Sequence, residues 1–140
     1  MAKFLAEDIF ISVDGHDLSD HAFSIDTPSE RERVDVSGFN PTGAKEFLAG
    51  SKEDSVTVQF LQDFASGEVH DVLSDIYQNQ TTVELIVRPT SSAVSATNPE
   101  LSGNVQLLQY NGLSAQKGAR AEMSVTFTPA DTTGIVWANT

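Results

Sequence analysis

The sequence has no cysteine and only eight basic residues among 140. Without cysteine the chain has no disulfide, no thiolate metal site and no thiol nucleophile. Twenty acidic residues bring the formal net charge to −12, and both the part up to Asp54 and the part after it are acidic. We therefore expect no basic arm and no binding of nucleic acid through phosphate neutralisation. Solubility is the simplest interpretation of this acidity.

Long apolar runs are also missing, since none approaches the roughly 20 residues of a membrane-spanning helix. The opening segment MAKFLAEDIF has a single lysine and is interrupted by Glu7 and Asp8, unlike a secretory signal. We expect no membrane segment and a cytoplasmic location when the chain is made. The length fits one domain over residues 1–140, with short N- and C-terminal arms.

Motifs that carry catalytic chemistry are absent as well. The sequence has no G-x-S-x-G nucleophile elbow and no phosphate loop ending in GK[ST]. His16 and His21 flank the segment DGHDLSD, which lacks the residue order of a calcium loop and is interpreted as a solvated acidic turn. His70 is expected on an exposed helix surface. We expect no enzyme, no catalytic residue, no metal site and no cofactor.

What the sequence does contain is a series of alternating apolar and polar residues, which indicates antiparallel strands with one wet face. These patterns occupy residues 8–13, 21–26, 31–38, 55–62, 82–89, 103–110 and 119–128. Asp14-Gly15 and Asn111-Gly112 are typical of tight hairpin turns. The sequence therefore predicts a sheet built from consecutive short strands.

One helix is predicted over about 67–79. Its apolar stripe at helical spacing consists of Val69, Val72, Leu73, Ile76 and Tyr77. Ser66 is the expected N-cap. Together the elements predict an α+β, mainly β fold: an antiparallel β-sandwich or barrel of six to eight strands flanked by one α-helix.

Two long irregular segments, at about 38–54 and 89–103, interrupt these elements. Proline and glycine break both of them, although KEFLA in the first has the composition of one helical turn. Loops of this length inside a compact domain are usually functional or disordered. Because no catalytic group accompanies them, we interpret the second loop as a surface that contacts other subunits and is mobile in the free monomer.

The order of segments carries a resemblance. GAKEFLAGSKEDSVTVQFLQD is followed by the helix, by TVELIVRP and by NPELSGNVQLLQYNGLSAQKGARAEMSVTFTPA. The most specific parts are NP..SG, a Y-x-G-L corner at Tyr110 to Leu113, and G-x-x-A-x-x-x-V-x-F from Gly118 to Phe127. Over roughly Ile9 to Ala130 the chain resembles the tail tube (major tail) proteins of long-tailed bacteriophages, which share their fold with the tube protein of type VI secretion.

This resemblance implies a structural protein of the virion, made in the host cytoplasm. Six copies would form a ring, and stacked rings would form the hollow tube through which DNA leaves the capsid. The implied partners are further copies of the chain and other tail proteins, namely the terminator, the baseplate or tip, and the tape measure. Because DNA is densely negative, a lumen of acidic and small polar side chains would let it pass without tight binding.

The polar faces of the last two strands are the predicted lumen surface. Its residues are Asn104, Gln106, Glu122, Ser124, Thr126 and Thr128, with Leu108 as an apolar exception. The first irregular segment contains three apolar residues, Phe39, Phe47 and Leu48. We predict that they form contacts between rings; the alternative is that they pack on the core of their own subunit.

Two other functions fit the same pattern. A tail-terminator or neck protein would form rings that cap a tube instead of stacking indefinitely. A free-standing β-sandwich module would bind a ligand such as carbohydrate, for which Tyr77, Tyr110 and the single Trp137 offer few aromatic platforms.

Overall fold

A computed structural model describes residues 3–140, so the first two residues of the expected domain lie outside it. The described residues form ten strands, one α-helix and a short 3-10 helix at Ser19–His21. The strands are β1 (Phe10–Val13), β2 (His16–Asp17), β3 (Ala22–Asp26), β4 (Ser29–Asp35), β5 (Phe47–Asp54), β6 (Val56–Leu61), β7 (Val83–Arg88), β8 (Glu100–Ser114), β9 (Glu122–Pro129) and β10 (Val136–Ala138). The helix, α1, spans Val69–Asn79.

Eight of these strands form one antiparallel sheet. Seven follow the order β2-β1-β7-β8-β9-β6-β3, and β10 pairs with the beginning of β8. The long strand β8 pairs with β7 through its first part and with β9 through its second. β4 and β5 form a separate two-stranded sheet. The α+β, mainly β fold with one helix is confirmed, and the short β2 and β10 add to the six to eight expected strands.

The core lies on one face of the large sheet, against α1. Alternate residues of the central strands are fully buried there, because side chains of a strand point to opposite faces in turn. They include Val56, Val58 and Phe60 of β6 and Met123, Val125 and Phe127 of β9. The helix contributes the predicted stripe of Val69, Val72, Leu73 and Ile76, with Tyr77 partly buried beside it. Both periodicities read from the sequence are confirmed.

The helix begins later than its predicted cap. Gly67 has a φ of 80°, and Glu68 rather than Ser66 is the N-cap. The Gly67 N–H donates to the Asp71 carboxylate at 2.8 Å, so the first turn is satisfied by an acid from inside the helix. At the other end Gln80 adopts the left-handed conformation that terminates many helices.

Two predictions about irregular segments are wrong in part. Residues 47–54 form β5, so the first irregular segment is limited to residues 36–46 and KEFLA is not helical. The period of β5 was hidden by a bulge, because the register with β4 shifts between Arg31 and Arg33. The second irregular segment ends at residue 99, where β8 begins.

The two predicted hairpin turns have different outcomes. Asp14 and Gly15 have φ values of 52° and 80°, and they connect β1 to β2 as expected. Asn111 and Gly112 have no positive φ, which the favoured two-residue turn requires at both positions. They continue β8 instead, and the chain reverses after Ser114. No helix among the described residues is long and apolar enough to cross a membrane.

Candidate functional site

The face of the sheet that points away from the core is polar. On β9 the residues Glu122, Ser124, Thr126 and Thr128 alternate with the buried ones and are half-exposed. On β8, Gln106 lies directly opposite Thr128, and Asn104 precedes it on the same face. The structure therefore brings the six predicted lumen residues together on one surface, called the polar face below. Whether this surface borders a lumen stays a prediction.

A bulge in β8 explains the apolar exception and adds residues that the sequence pattern missed. The register shifts between Leu107 and Gln109, which leaves Leu108 exposed and reverses the alternation beyond it. Gln109 then lies opposite Thr126, and Asn111 lies opposite Ser124. Both extend the polar face, although the uninterrupted period of two assigned Gln109 to the other side.

Short polar contacts cover this face. The hydroxyls of Thr57 and Thr126 lie 3.3 Å apart across β6 and β9. The Asn104 amide donates to the Asp131 carboxylate at 2.9 Å, and this bond is the main reason that the pKa of Asp131 lies below its usual value. Such a surface offers hydroxyls, amides and a few acids, and it has no group placed for catalysis.

The second candidate surface is the hairpin of residues 29–54, called the arm below. Along β4 every residue is exposed, and along β5 only Gly50 and Asp54 are not. Phe39 is completely exposed in the connecting loop, Phe47 lies under the Arg33 guanidinium at 4.2 Å, and Leu48 is 58% exposed. None of the three joins the buried core. Their role in contacts between rings stays a prediction.

The base of the arm is fastened to the C-terminal segment by Asp54, whose side chain is buried. It accepts hydrogen bonds from the Ser29 hydroxyl at 2.5 Å and from the Ile135 N–H at 3.3 Å. The Lys52 ammonium lies 3.1 Å from the Asp54 carboxylate and donates to the Ile135 carbonyl. Burial alone raises the pKa of Asp54, but these donors and the Lys52 charge outweigh it and hold the pKa below its usual value.

The C-terminal segment is itself held close to β8. A β-carbon added at Gly103 would lie 2.6 Å from the Gly134 carbonyl oxygen, so only glycine permits this approach. Ile135 is consequently buried, and β10 pairs with Glu100 to Ser102. The arm therefore contacts the C-terminal segment through Asp54, and the C-terminal segment in turn pairs with β8.

The loop of residues 89–99 is organised by its own hydrogen bonds. The buried Asn98 amide donates to the carbonyls of Ser92 and Ala93 at 2.9 and 3.2 Å, and its oxygen accepts from the Thr90 N–H. The Ser91 hydroxyl donates to Asp8 at 2.7 Å. Asn98 thus serves as an internal core of this loop, and its mobility in the free monomer stays a prediction. Its predicted contact with other subunits remains a prediction.

Titratable side chains meet where the 3-10 helix approaches α1. The His21 Nε2 atom lies 3.1 Å from Asp63 and 3.7 Å from Glu68, and one ion could reach all three groups. The three are only half-buried, however, and the Ala65 N–H already lowers the pKa of Asp63, with the His21 bond as the next cause. We interpret the group as a polar link between neighbouring elements. No local pattern predicts this group, because His21 is 42 residues away from Asp63 along the chain.

His70 differs from its expectation as a solvent-exposed residue. Its Nδ1 atom lies 2.7 Å from the Tyr110 hydroxyl, and its ring packs against Phe64. Tyr110 also accepts from the Gln62 amide, while burial raises its pKa. These contacts fasten α1 to the second part of β8. They also leave Tyr110 half-buried, which reduces its value as a ligand platform.

No protein-family model and no curated protein sequence matches the chain. Among solved structures, the virion of a native gene transfer agent particle contains a chain with a TM-score of 0.76 and 14% identity, covering 97% of this chain and 99% of that one. The SPP1 tail tube gives a TM-score of 0.73 at 14% identity, with 99% and 80% covered. The sheath-tube complex of the PVC extracellular contractile injection system gives 0.67 at 11%, with 95% and 89% covered. The chain has the fold of these assemblies, and the resemblance in segment order is confirmed at the level of fold.

Proposed function

We propose that the chain is a structural tail tube protein, whose copies assemble into rings that stack into a tube within a virion. The observation that carries this proposal is a fold shared, over nearly the whole chain, with the SPP1 tail tube, with the sheath-tube complex of a contractile injection system and with a chain of a gene transfer agent virion. The exposed arm and the polar face supply surfaces for such an assembly. The residues described above offer no constellation of catalytic groups that would favour an enzyme.

The two candidate surfaces have separate tasks in this proposal. The polar face borders the lumen, where hydroxyls, amides and acids give the phosphates of a passing duplex little to bind. Joining the sheets of neighbouring copies around a ring also removes their exposed edges, which would otherwise pair without control. Phe39, Phe47 and Leu48 on the arm contact further copies, since they have no partner in the core of their own subunit.

Negative-stain electron microscopy of the purified protein tests the proposal over a range of protein concentrations. We expect hollow tubes built from stacked rings. Isolated rings at every concentration would favour a terminator or neck protein instead. Monomers at every concentration would contradict both and leave a free-standing binding module.

Phe47 provides a point mutation for the same assay. Phe47→Glu places a charge on the exposed arm without touching the core, so we expect folded monomers that no longer form tubes. Phe47→Leu keeps an apolar side chain there and serves as the matched control, which should still assemble. Circular dichroism checks that both variants are folded. Tubes of ordinary length from Phe47→Glu would refute the assignment of Phe47 to a contact between copies.

A further inference from the structure

The arm carries charges of opposite sign on its two faces. Residues paired across two strands point to the same face, and residues alternate along each strand. The register places Arg31 opposite Lys52 and Glu30 opposite Glu53. One face therefore carries Arg31, Arg33 and Lys52, with an acid, Asp35, towards the loop, and is called the basic face. The other face carries Glu30, Glu32 and Glu53 and is called the acidic face. The ring of Phe47 under the Arg33 guanidinium confirms that Phe47 lies on the basic face.

This arrangement is unfavourable for a hairpin on its own. Like charges directly opposite each other on a sheet are destabilising. Lys52 has Asp54 as a partner, but within residues 3–140 no ion pair involves Arg31 or any acid of the acidic face. The charges are thus available to a partner that would offset their repulsion.

The positive charge is also concentrated. Arg31, Arg33, Lys45 and Lys52 are half of the eight basic residues in a chain of net charge −12. Interleaved acids mask them in the sequence, which is why no basic arm was expected. The alternation of the strand separates the two signs in space. A partner for the basic face must be acidic, and a partner for the acidic face must be basic.

A second copy of the arm meets both requirements. We propose that the basic face of the arm in one copy docks on the acidic face of the arm in the next copy, an inference that rests on the proposed tube function. Sheets stack face to face at about 10 Å, a separation that Arg and Glu side chains span. Such a contact is head-to-tail, so each copy gives one face and receives the other, and the contact repeats from copy to copy.

The apolar residues of the arm agree with this stacking. Towards the loop, the basic face presents Phe47 beside Asp35, whose carboxylate accepts from the Ser37 N–H. The acidic face presents Val34 and Leu48 there, paired with each other across the strands. The three apolar side chains are exposed. Two arms stacked without a shift along their length therefore bring opposite charges together near the base and apolar side chains together near the loop.

Two charge-reversal variants test the contact. Arg31→Glu/Arg33→Glu makes both faces acidic, and Glu30→Lys/Glu32→Lys leaves no acidic face for the basic one. Lys52, Glu53 and Asp54 stay unchanged, so the base of the arm is preserved. We expect each variant alone to need about tenfold more protein than the wild type for assembly, as the loss of a few exposed ion pairs implies.

Mixing the two variants in equal amounts is the decisive step. An acidic arm can then alternate with a basic one, so the mixture should form particles that neither variant forms, as measured by sedimentation and electron microscopy. High salt should weaken this rescue because it screens exposed charges. Circular dichroism and thermal melts of each variant check that the body is folded.

Three results would overturn the inference. If the basic face docks on the acidic body of a neighbour, Arg31→Glu/Arg33→Glu alone fails to assemble, Glu30→Lys/Glu32→Lys still assembles by itself, and mixing the two rescues nothing. If the arms do not touch, both variants assemble like the wild type. If the wild type itself stays monomeric, the proposed function is wrong. The arm contact is then tested separately by native mass spectrometry of the mixed variants, and the absence of complexes between the two variants would overturn the arm contact as well.

Discussion

Asp54 is the residue on which the connection between the arm and the body depends. Its carboxylate accepts from Ser29 and from the Ile135 N–H and lies beside Lys52. Asp54→Ala would leave the buried Ile135 N–H without an acceptor and remove the partner of Ser29 and Lys52, so we expect a loss of about 2 kcal/mol in the free energy of unfolding. Denaturant titration measures it. Asp71→Ala, which removes the exposed carboxylate bonded to Gly67, is a control for the loss of an acid at the surface and should cost less.

The same carboxylate makes stability depend on pH. Because its folded pKa lies below the usual value of 3.8, its contribution is complete above pH 4 and is lost as the pH falls through the folded pKa. We therefore expect the difference in unfolding free energy between wild type and Asp54→Ala to be constant from neutral pH down to about pH 4 and to shrink below it. A difference that grows in acid would contradict this account of Asp54.

The positions of some single residues could be predicted from the sequence, and those of others could not. The alternation along β9 sufficed to place Glu122, Ser124, Thr126 and Thr128 on one face. Nothing local marks Asp54, because its partners Ser29 and Ile135 are 25 and 81 residues away along the chain. The need for glycine at position 103 could not be predicted either, since its contact with Gly134 depends on the pairing of β10 with β8.

Among the elements, the arm departs furthest from what its sequence predicts. FLAGSKED resembles a loop because it contains glycine, few apolar residues and no steady alternation. Hydrogen bonding to β4 makes it a strand nevertheless, and the bulge opposite Glu32 is the reason that its alternation is irregular. The helix and the strands β6, β7 and β9 could be predicted, since each buries a periodic apolar face. An exposed hairpin buries nothing and leaves no such period.

Shortening the arm separates its role from the stability of the body. An Asn-Gly turn placed directly between Arg31 and Lys52 replaces the distal arm by a two-residue hairpin loop that suits this register. The removed residues are exposed or half-exposed, so we expect an unfolding free energy within about 0.5 kcal/mol of the wild type. Assembly should be abolished. Tubes formed by the shortened chain would show that the arm is dispensable.

At the scale of the whole molecule, the acidity gains a use beyond solubility. In the proposed tube, copies that each carry a net charge of −12 would repel DNA, and the polar face has few cations to hold phosphates. The order of segments pointed to this architecture. The pairing order of the sheet could not be read from the sequence, because it is determined by contacts between distant strands such as β6 and β9.

A matched pair of substitutions tests which face borders the lumen. Glu122→Lys and Asp75→Lys change the net charge equally, but the first lies on the polar face and the second on the exposed side of α1. We expect tubes of Glu122→Lys to retain short duplex DNA on co-sedimentation at physiological ionic strength, and wild-type and Asp75→Lys tubes to retain little. Equal retention by both variants would remove β9 from the lumen.

The paired like charges of the arm have one more consequence, which concerns errors. An arm that approaches a neighbour in the flipped orientation brings Arg31 and Arg33 against their own counterparts, or Glu30 and Glu32 against theirs, and is repelled at once. Only one of the two orientations is attractive. The repulsion between like charges, which costs the isolated hairpin some stability, would thus prevent a copy in the wrong orientation from being added to the assembly.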